Sequence, residues 1–246
     1  WGADHHGYMP RIKASMTALG HDASKLEIIL GQLVSLVISG ERTRMGKRKT
    51  MQQLDEIMDD VGVDATRFWL VSRSADSTIE FDVDLAGSAS QDNPVFYAQY
   101  AHARACGILR TAFAPVLNTE TGEETPPRFT QEAFDKYKAS VSANEWAKAL
   151  LGSLKDAPAY AKVRETVLLL ISFKERVEDA GRVSSPHIIS RYALDLAGDF
   201  HSLYSACRVL CEDDDQSIAR LLLVDSLRST LAQSLNLLGV TAPEKM

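Results

Sequence analysis

The apolar positions change their spacing along the chain, and the first third is the most varied. Pro10 can occupy the first turn of a helix, where its missing N–H costs nothing, and Ile12, Met16 and Leu19 recur on one face before Gly20 ends it. A short amphipathic helix is expected there. From Leu26 to Ile38 the chain is dense in Leu, Ile and Val and carries no charge after Glu27, which suits strands buried on both faces of an α/β sheet. Thr50 to Arg73 returns to helical spacing: Leu54, Ile57 and Met58 form one apolar face, Gly62 breaks it, and Ala65, Phe68, Trp69 and Ser72 form a second. Ser74 to Gln91 is rich in Asp, Ser and Gly around the alternating Phe81-Asp82-Val83-Asp84-Leu85, and it reads as a connector that touches the body through its apolar positions.

Beyond Asp92 nearly everything has helical period, with breaks at Asn118 to Arg128, Gly152 to Pro158, Gly181 to Pro186 and Cys211 to Gln216. Four or five helices are expected. In the last, Leu221, Val224, Leu227, Leu231, Leu235 and Leu238 recur every three or four residues and should pack one stripe into a bundle. The fold class is therefore α/β followed by all-α, with residues 1–50 as part of an α/β domain, 51–92 as a helical stem and connector, and 93–246 as a helical domain.

Composition narrows the function. With 45% hydrophobic and 24% charged residues, the 246-residue chain falls among ordinary soluble domains. No run approaches the roughly 18 apolar residues of a membrane-spanning helix, and no basic start followed by an apolar stretch marks a secretory signal. A cytoplasmic address and no membrane partner are expected. Cys207 and Cys211 lack the spacing of zinc or redox sites and read as small buried apolar groups. The net charge of −6 argues against a surface that binds polyanions everywhere, so any RNA site must be local. Residues 1–92 carry ten Lys/Arg against fourteen Asp/Glu, and residues 93–246 carry seventeen against nineteen, so neither half is basic. The exception is Arg42 to Lys49, where five of eight positions are cationic. On charge alone that run is a solvated turn.

Other candidate groups also have plain readings. Gly2-Ala3-Asp4 after a strand is commonly a turn with an aspartate cap, and His5 with His6 lacks the further ligands that a metal site needs. Tyr97, Tyr100 and Arg104 share a helix face, where an aromatic and a guanidinium can stack on and hydrogen-bond an unpaired base. Aromatics at that spacing usually belong to a core, the reading kept for Phe96 and Tyr97.

Five stretches in order along the chain resemble the arginine-specific class I aminoacyl-tRNA synthetases: Trp1 to Tyr8 (WGADHHGY), Met45 to Arg48 (MGKR), Gly62 to Phe68 (GVDATRF), Asn93 to Arg104 (NPVFYAQYAHAR) and Leu238 to Met246 (LGVTAPEKM). The resemblance implies the second half of a Rossmann-like catalytic domain followed by an α-helical anticodon-binding bundle. It implies an arginine-tRNA ligase acting on ATP, with Mg²⁺ accompanying the nucleotide, and on L-arginine and arginine tRNA, as a monomer and with no structural metal. The family's HIGH-type signature is not found, and the chain opens within a motif, which reads as a cut from a longer protein; the isolated piece is expected to be inactive.

Residue by residue, Arg44, Met45, Gly46, Lys47 and Arg48 match the family's KMSKS-type loop, with Lys47 and Arg48 in the catalytic role on the departing pyrophosphate. Gly46 stands where the family has serine, and Lys49-Thr50 replaces a small glycine-containing continuation. Gly2, Asp4 and His5 join Arg44 to Lys47 on ATP, Asp4 taking the ribose hydroxyls. Tyr100, Arg104, Tyr204, Arg208 and Met246 fall on the anticodon contacts. Two other readings stay open: a tRNA-binding module without catalysis, and a helical interaction domain without RNA, which only the net acidity favours.

Overall fold

The computed structural model describes residues 1–44, 53–117, 122–152 and 157–246. Its sheet grows from a two-residue turn. Ser39 (φ 51°) and Gly40 (φ 78°) both lie in the left-handed region, as a primed hairpin turn requires. They join β1 (Val34–Ile38) to β2 (Glu41–Arg44) antiparallel, with Ile38 opposite Glu41. The Ser39 N–H donates to the Asp84 carboxylate at 2.6 Å, tying the turn to the far edge of the sheet. There β3 (Ile79–Asp82) pairs parallel to β1 and sets Phe81 opposite Leu36, both buried. The strand order is β2-β1-β3.

Three expectations change here. Leu26 to Leu33 is not a strand: apart from a bridge between Gly31 and Gly2 it is irregular, and Leu33 is 79% exposed. Arg42 to Arg44, expected in a loop, forms β2. The Phe81 to Leu85 alternation is an element of the sheet, strand to Asp82 and then the one-turn helix α4 (Val83–Ala86), capped by the Asp82 carboxylate on the Leu85 N–H. A short alternating run next to polar residues carries the strand signal weakly, and the pairing with β1 decides it.

The expected helices form. α1 (Met9–Ala18) has Pro10 in its first turn, but its face is open, with Ile12 and Leu19 exposed. α2 (Leu54–Val61) and α3 (Val63–Val71) meet at Gly62, whose φ of 87° explains the break. Asn93 and Pro94 start α5 (Pro94–Phe113): the buried Asn93 amide donates to the carbonyls of Ala86 and Ser88, locking the preceding loop onto the helix start.

Past α5, a small hairpin of β4 (Val116–Leu117) and β5 (Glu124–Thr125) precedes α6 (Gln131–Ser140), α7 (Ala143–Leu151), α8 (Ala157–Ile171), α9 (Phe173–Arg182), α10 (His187–Ala206) and α11 (Asp214–Leu237). The five expected segments are there, but two are split, giving seven helices among the described residues. One split is a capping box, in which Ser142 and Glu145 exchange hydrogen bonds and start α7; the other falls at Ser172.

The stripe of α11 is buried as expected: Leu221, Leu227, Leu231 and Leu235 are wholly inaccessible. It packs with Ala101 and Ala105 of α5 and Leu196 and Phe200 of α10 in the bundle core. A second core joins Leu36, Ile57, Phe68 and Phe81 to Val95, Ala98, Ile189, Leu235 and Leu238, so residues on both sides of Asp92 share it. Cys106 and Cys207 are buried, but Cys211, expected to be buried and apolar, is only half-buried and its thiol lies against the Ser217 hydroxyl and the Asp213 carbonyl.

Inside this frame Asp225 of α11 is buried with two cations on it, Lys138 of α6 at 2.6 Å and Arg228 at 2.7 Å. Burial alone raises a carboxyl pKa, but the hydrogen bonds from Lys138 and Arg228 outweigh it, and the net shift is downward. A depressed carboxylate stabilises the fold above its unfolded pKa and loses that contribution as pH falls through the folded value. Asp225→Asn is expected to cost about 2 kcal/mol near pH 7, less than a fully buried pair because Lys138 and Arg228 can turn to water. Urea unfolding of both proteins from pH 7 to 3 checks this: the difference should hold constant down to about pH 5 and shrink only below it, as the pH passes the unfolded carboxyl pKa of about 3.9.

Candidate functional site

A cleft lies between α5 and α10. On α5, Phe96, Tyr97, Tyr100 and Arg104 follow at helical spacing, and on α10 they face His201, Tyr204 and, just past the helix end, Arg208. Tyr100 is half-buried, with Phe96 stacked on it at 6.0 Å and His201 at 5.8 Å between centroids. Tyr97 packs tilted against the same His201 at 5.0 Å and joins the bundle core, as expected for it. One turn on, the Arg104 guanidinium sits 4.3 Å from the Tyr204 ring centroid, a cation–π pair. Tyr204 remains 41% exposed, so it offers the larger free aromatic surface of the two predicted tyrosines.

Beyond this pair the groove opens into a cavity of about 650 Å³, lined by Arg104, Arg110, Tyr204 and Arg208 among others. Three arginines line it, with no Asp or Glu in the lining among the described residues, in a chain whose net charge is −6. Burial pushes the His201 imidazole below its ordinary pKa, and Arg104 adds in the same direction. The neutral form of His201 is therefore favoured beside the cations, and its Nε2 has no hydrogen-bond partner among the described residues.

The structure brings Tyr100, Arg104, Tyr204 and Arg208 to one cleft. Arg110 was not among the expected residues; it is the next cation along α5 after Arg104, and that continuation was the available signal. Met246 is 56% exposed at the end of a segment that runs along α5, where the Pro243 carbonyl meets His102 and the Glu244 carbonyl meets Arg110, both at 2.9 Å.

The second group of expected residues sits at the other end of the chain. Gly2 bridges Gly31 in parallel, and the Ala3 N–H donates to the Gly31 carbonyl at 2.9 Å. Ala3 to Tyr8 then coil into a short 3₁₀ helix that presents Asp4 and His5 to solvent, 3.8 Å apart. A Cβ on Gly2 would lie 2.6 Å from the Asp4 carboxylate, so glycine leaves that side chain its position. His5 joins Trp1 and Tyr8 around an open cavity. Arg44 ends β2, while Met45, Gly46, Lys47 and Arg48 lie outside the described residues. Among the described residues no cluster of three or more His, Cys, Asp or Glu could hold a metal ion, and no helix is long and apolar enough to cross a membrane.

With that geometry in view, residues 98–246 match the family described as DALR anticodon binding domain. The chain belongs to that family. Over its full length it is also 44% identical to an arginine–tRNA ligase of Desulfitobacterium hafniense and 42% identical to one of Moorella thermoacetica, and in each case it spans 39% of the relative's length. It is thus a homologue of the C-terminal portion of arginine–tRNA ligases. Among solved structures, the arginyl-tRNA synthetase of Thermus thermophilus superposes with a TM-score of 0.64 at 25% identity, over 97% of this chain and 39% of that one. A Campylobacter jejuni protein solved as a candidate arginyl tRNA synthetase gives 0.73 at 29%, over all of this chain and 47% of that one.

The family match begins inside α5 and contains Tyr100, Arg104, Arg110, Tyr204, Arg208 and Met246. Gly2, Asp4, His5 and Arg44 fall outside it and within the longer alignment to the ligases. The mostly helical architecture with its small mixed sheet, leading into the helical DALR domain, agrees with the arginyl-tRNA synthetase structures and with the expected fold class.

Proposed function

We propose that this chain is the tRNA-recognising part of an ATP-dependent arginine–tRNA ligase and that the α5–α10 cleft receives an unpaired base of the anticodon loop of arginine tRNA. The carrying observation is the concentration of three arginines and an exposed tyrosine in one cleft of an acidic chain, with no carboxylate in its lining among the described residues. An acidic surface repels RNA at long range, so a cleft of this kind captures it only where phosphate and base fit together. In this reading Tyr204, backed by Arg104, is the stacking platform, Tyr100 closes the inner end of the groove, and Arg208 takes a phosphate. Met246, exposed beside α5, adds apolar contact at the rim.

Adenylate formation belongs to the whole ligase. There the cationic run through Lys47 and Arg48 neutralises charge on the departing pyrophosphate, with Mg²⁺ on the nucleotide, and Gly2, Asp4 and His5 with Arg44 to Lys47 hold ATP. What supports this is the alignment of the full chain to arginine–tRNA ligases together with the exposed Asp4 carboxylate, free to accept from ribose hydroxyls. Residues 1–50 are then the end of a catalytic domain, 51–92 a stem, and 93–246 the anticodon-binding domain, working as a monomer in the cytoplasm.

Tyr204→Ala is expected to weaken binding of arginine tRNA by about 1–3 kcal/mol, roughly fivefold to a hundredfold or more, while unrelated tRNAs change little. Filter binding with circular dichroism on the same protein checks it, because Tyr204 is exposed and its loss should leave the fold intact. Unchanged affinity in a folded variant places the base elsewhere. The 246 residues alone are expected to show no arginine-dependent ATP–pyrophosphate exchange, even with tRNA present; exchange at the rate of an intact ligase contradicts that.

A further inference from the structure

The terminal segment is fastened at four points along its length. α11 ends at Leu237, and Gly239 turns the chain with φ 68° beneath the Arg67 side chain. The Asp64 carboxylate of α3 then accepts the Thr241 N–H at 3.2 Å and, in a shorter contact, the Thr241 hydroxyl. Gln99 of α5 completes the knot, its amide donating to Asp64 at 2.8 Å and to the Thr241 carbonyl at 3.0 Å. Further along the same helix, the buried His102 meets the Pro243 carbonyl, and Arg110 donates to the Glu244 carbonyl, both at 2.9 Å.

The last contact links this strap to the cleft, because Arg110 also lines the cavity beside Arg104 and Arg208. A free arginine on an exposed helix face samples many rotamers and gives up that freedom on binding. A guanidinium carries five N–H donors in a fixed fork, so one bond to a carbonyl holds its direction and leaves the remaining donors for a phosphate.

We propose that Arg110 is a phosphate-binding residue of the cleft and that Asp64, Gln99 and Thr241 are positioning residues, seating the terminal segment so that the Glu244 carbonyl holds the guanidinium toward bound RNA. The inference rests on the reading of the cleft as the RNA-binding face. It gives the Asp64 of the Gly62 to Phe68 stretch a task in RNA recognition although it lies outside the matched family domain.

The test is a double-mutant cycle in the intact protein, with transcribed arginine tRNA titrated between about 50 and 200 mM salt. Thr241→Val removes the hydroxyl at nearly constant volume, and Thr241→Ser keeps it. Arg110→Ala and Thr241→Val are each expected to weaken binding several-fold and to make the salt dependence shallower by about 0.7 in the log–log slope, one single-strand phosphate contact. Thr241→Ser should bind as the parent does. The double variant should be no weaker than Arg110→Ala alone, because both changes remove one interaction. Arg110→Ala with an unchanged slope, Thr241→Val with parental affinity, or additive losses in the double variant would overturn the proposal. Failure of the underlying reading looks different: the parent protein would bind arginine tRNA no better than other tRNAs, and Tyr204→Ala would change nothing.

Discussion

The close approach of α5 to α10 and α11 is the constraint on which the rest of the molecule depends. Ala98, Ala101 and Ala105 of α5 are wholly inaccessible, and only a side chain of that size lets the long leucines of α11 and Phe200 of α10 seat against the helix. Interiors are packed to crystal density, so a larger residue at Ala101 or Ala105 forces the helices apart. The same helix carries Val95 and Ala98 into the second core beside Phe68 and Phe81, presents Tyr100 and Arg104 to α10, and offers Gln99, His102 and Arg110 to the terminal segment. One rigid element thus sets the relation between sheet, bundle, cleft and terminus. A binding surface built on such an element is positioned before its ligand arrives, which lowers the entropy cost of recognition.

Electrostatics work locally. Two ion-paired carboxylates, Asp225 with Lys138 and Arg228 and the partly buried Asp199 with Lys162, tie α6 to α11 and α8 to α10. The cleft has the opposite arrangement, with arginines and, among the described residues, no Asp or Glu in its lining. Desolvation, with Arg104 beside it, lowers the His201 pKa and so favours the neutral imidazole in the cleft. The chain's acidity and its local cationic cleft are compatible because screening at physiological salt limits exposed charges to a range of about 8 Å.

Much of this was legible in the residues because helical period is a repeated signal. The α11 stripe, the Gly62 break and the helical period that sets in just beyond Asp92 all follow from spacing and backbone chemistry. The sheet was read less well. Leu26 to Leu33 has strand composition but finds no ladder beyond the Gly31 bridge, while Ile79 to Asp82 is short and polar-flanked yet pairs with β1. Strand identity is decided by a partner distant in sequence, which local pattern does not show. The cleft was legible in part: Tyr100, Arg104, Tyr204 and Arg208 were expected from the family resemblance, and the structure brings them together. Arg110 and the Asp64, Gln99 and Thr241 knot were not, because contacts between residues 64, 99 and 241 leave no periodic trace.

The central claim is that the α5–α10 cleft holds an anticodon base. Photocrosslinking tests it most directly: arginine tRNA with a photoreactive base in the anticodon loop is irradiated with the intact protein, and the adducts are mapped by peptide mass. Adducts concentrated in residues 100–111 and 201–210 are the expected result. Adducts confined to α6 to α9, with none in those two stretches, would contradict the account.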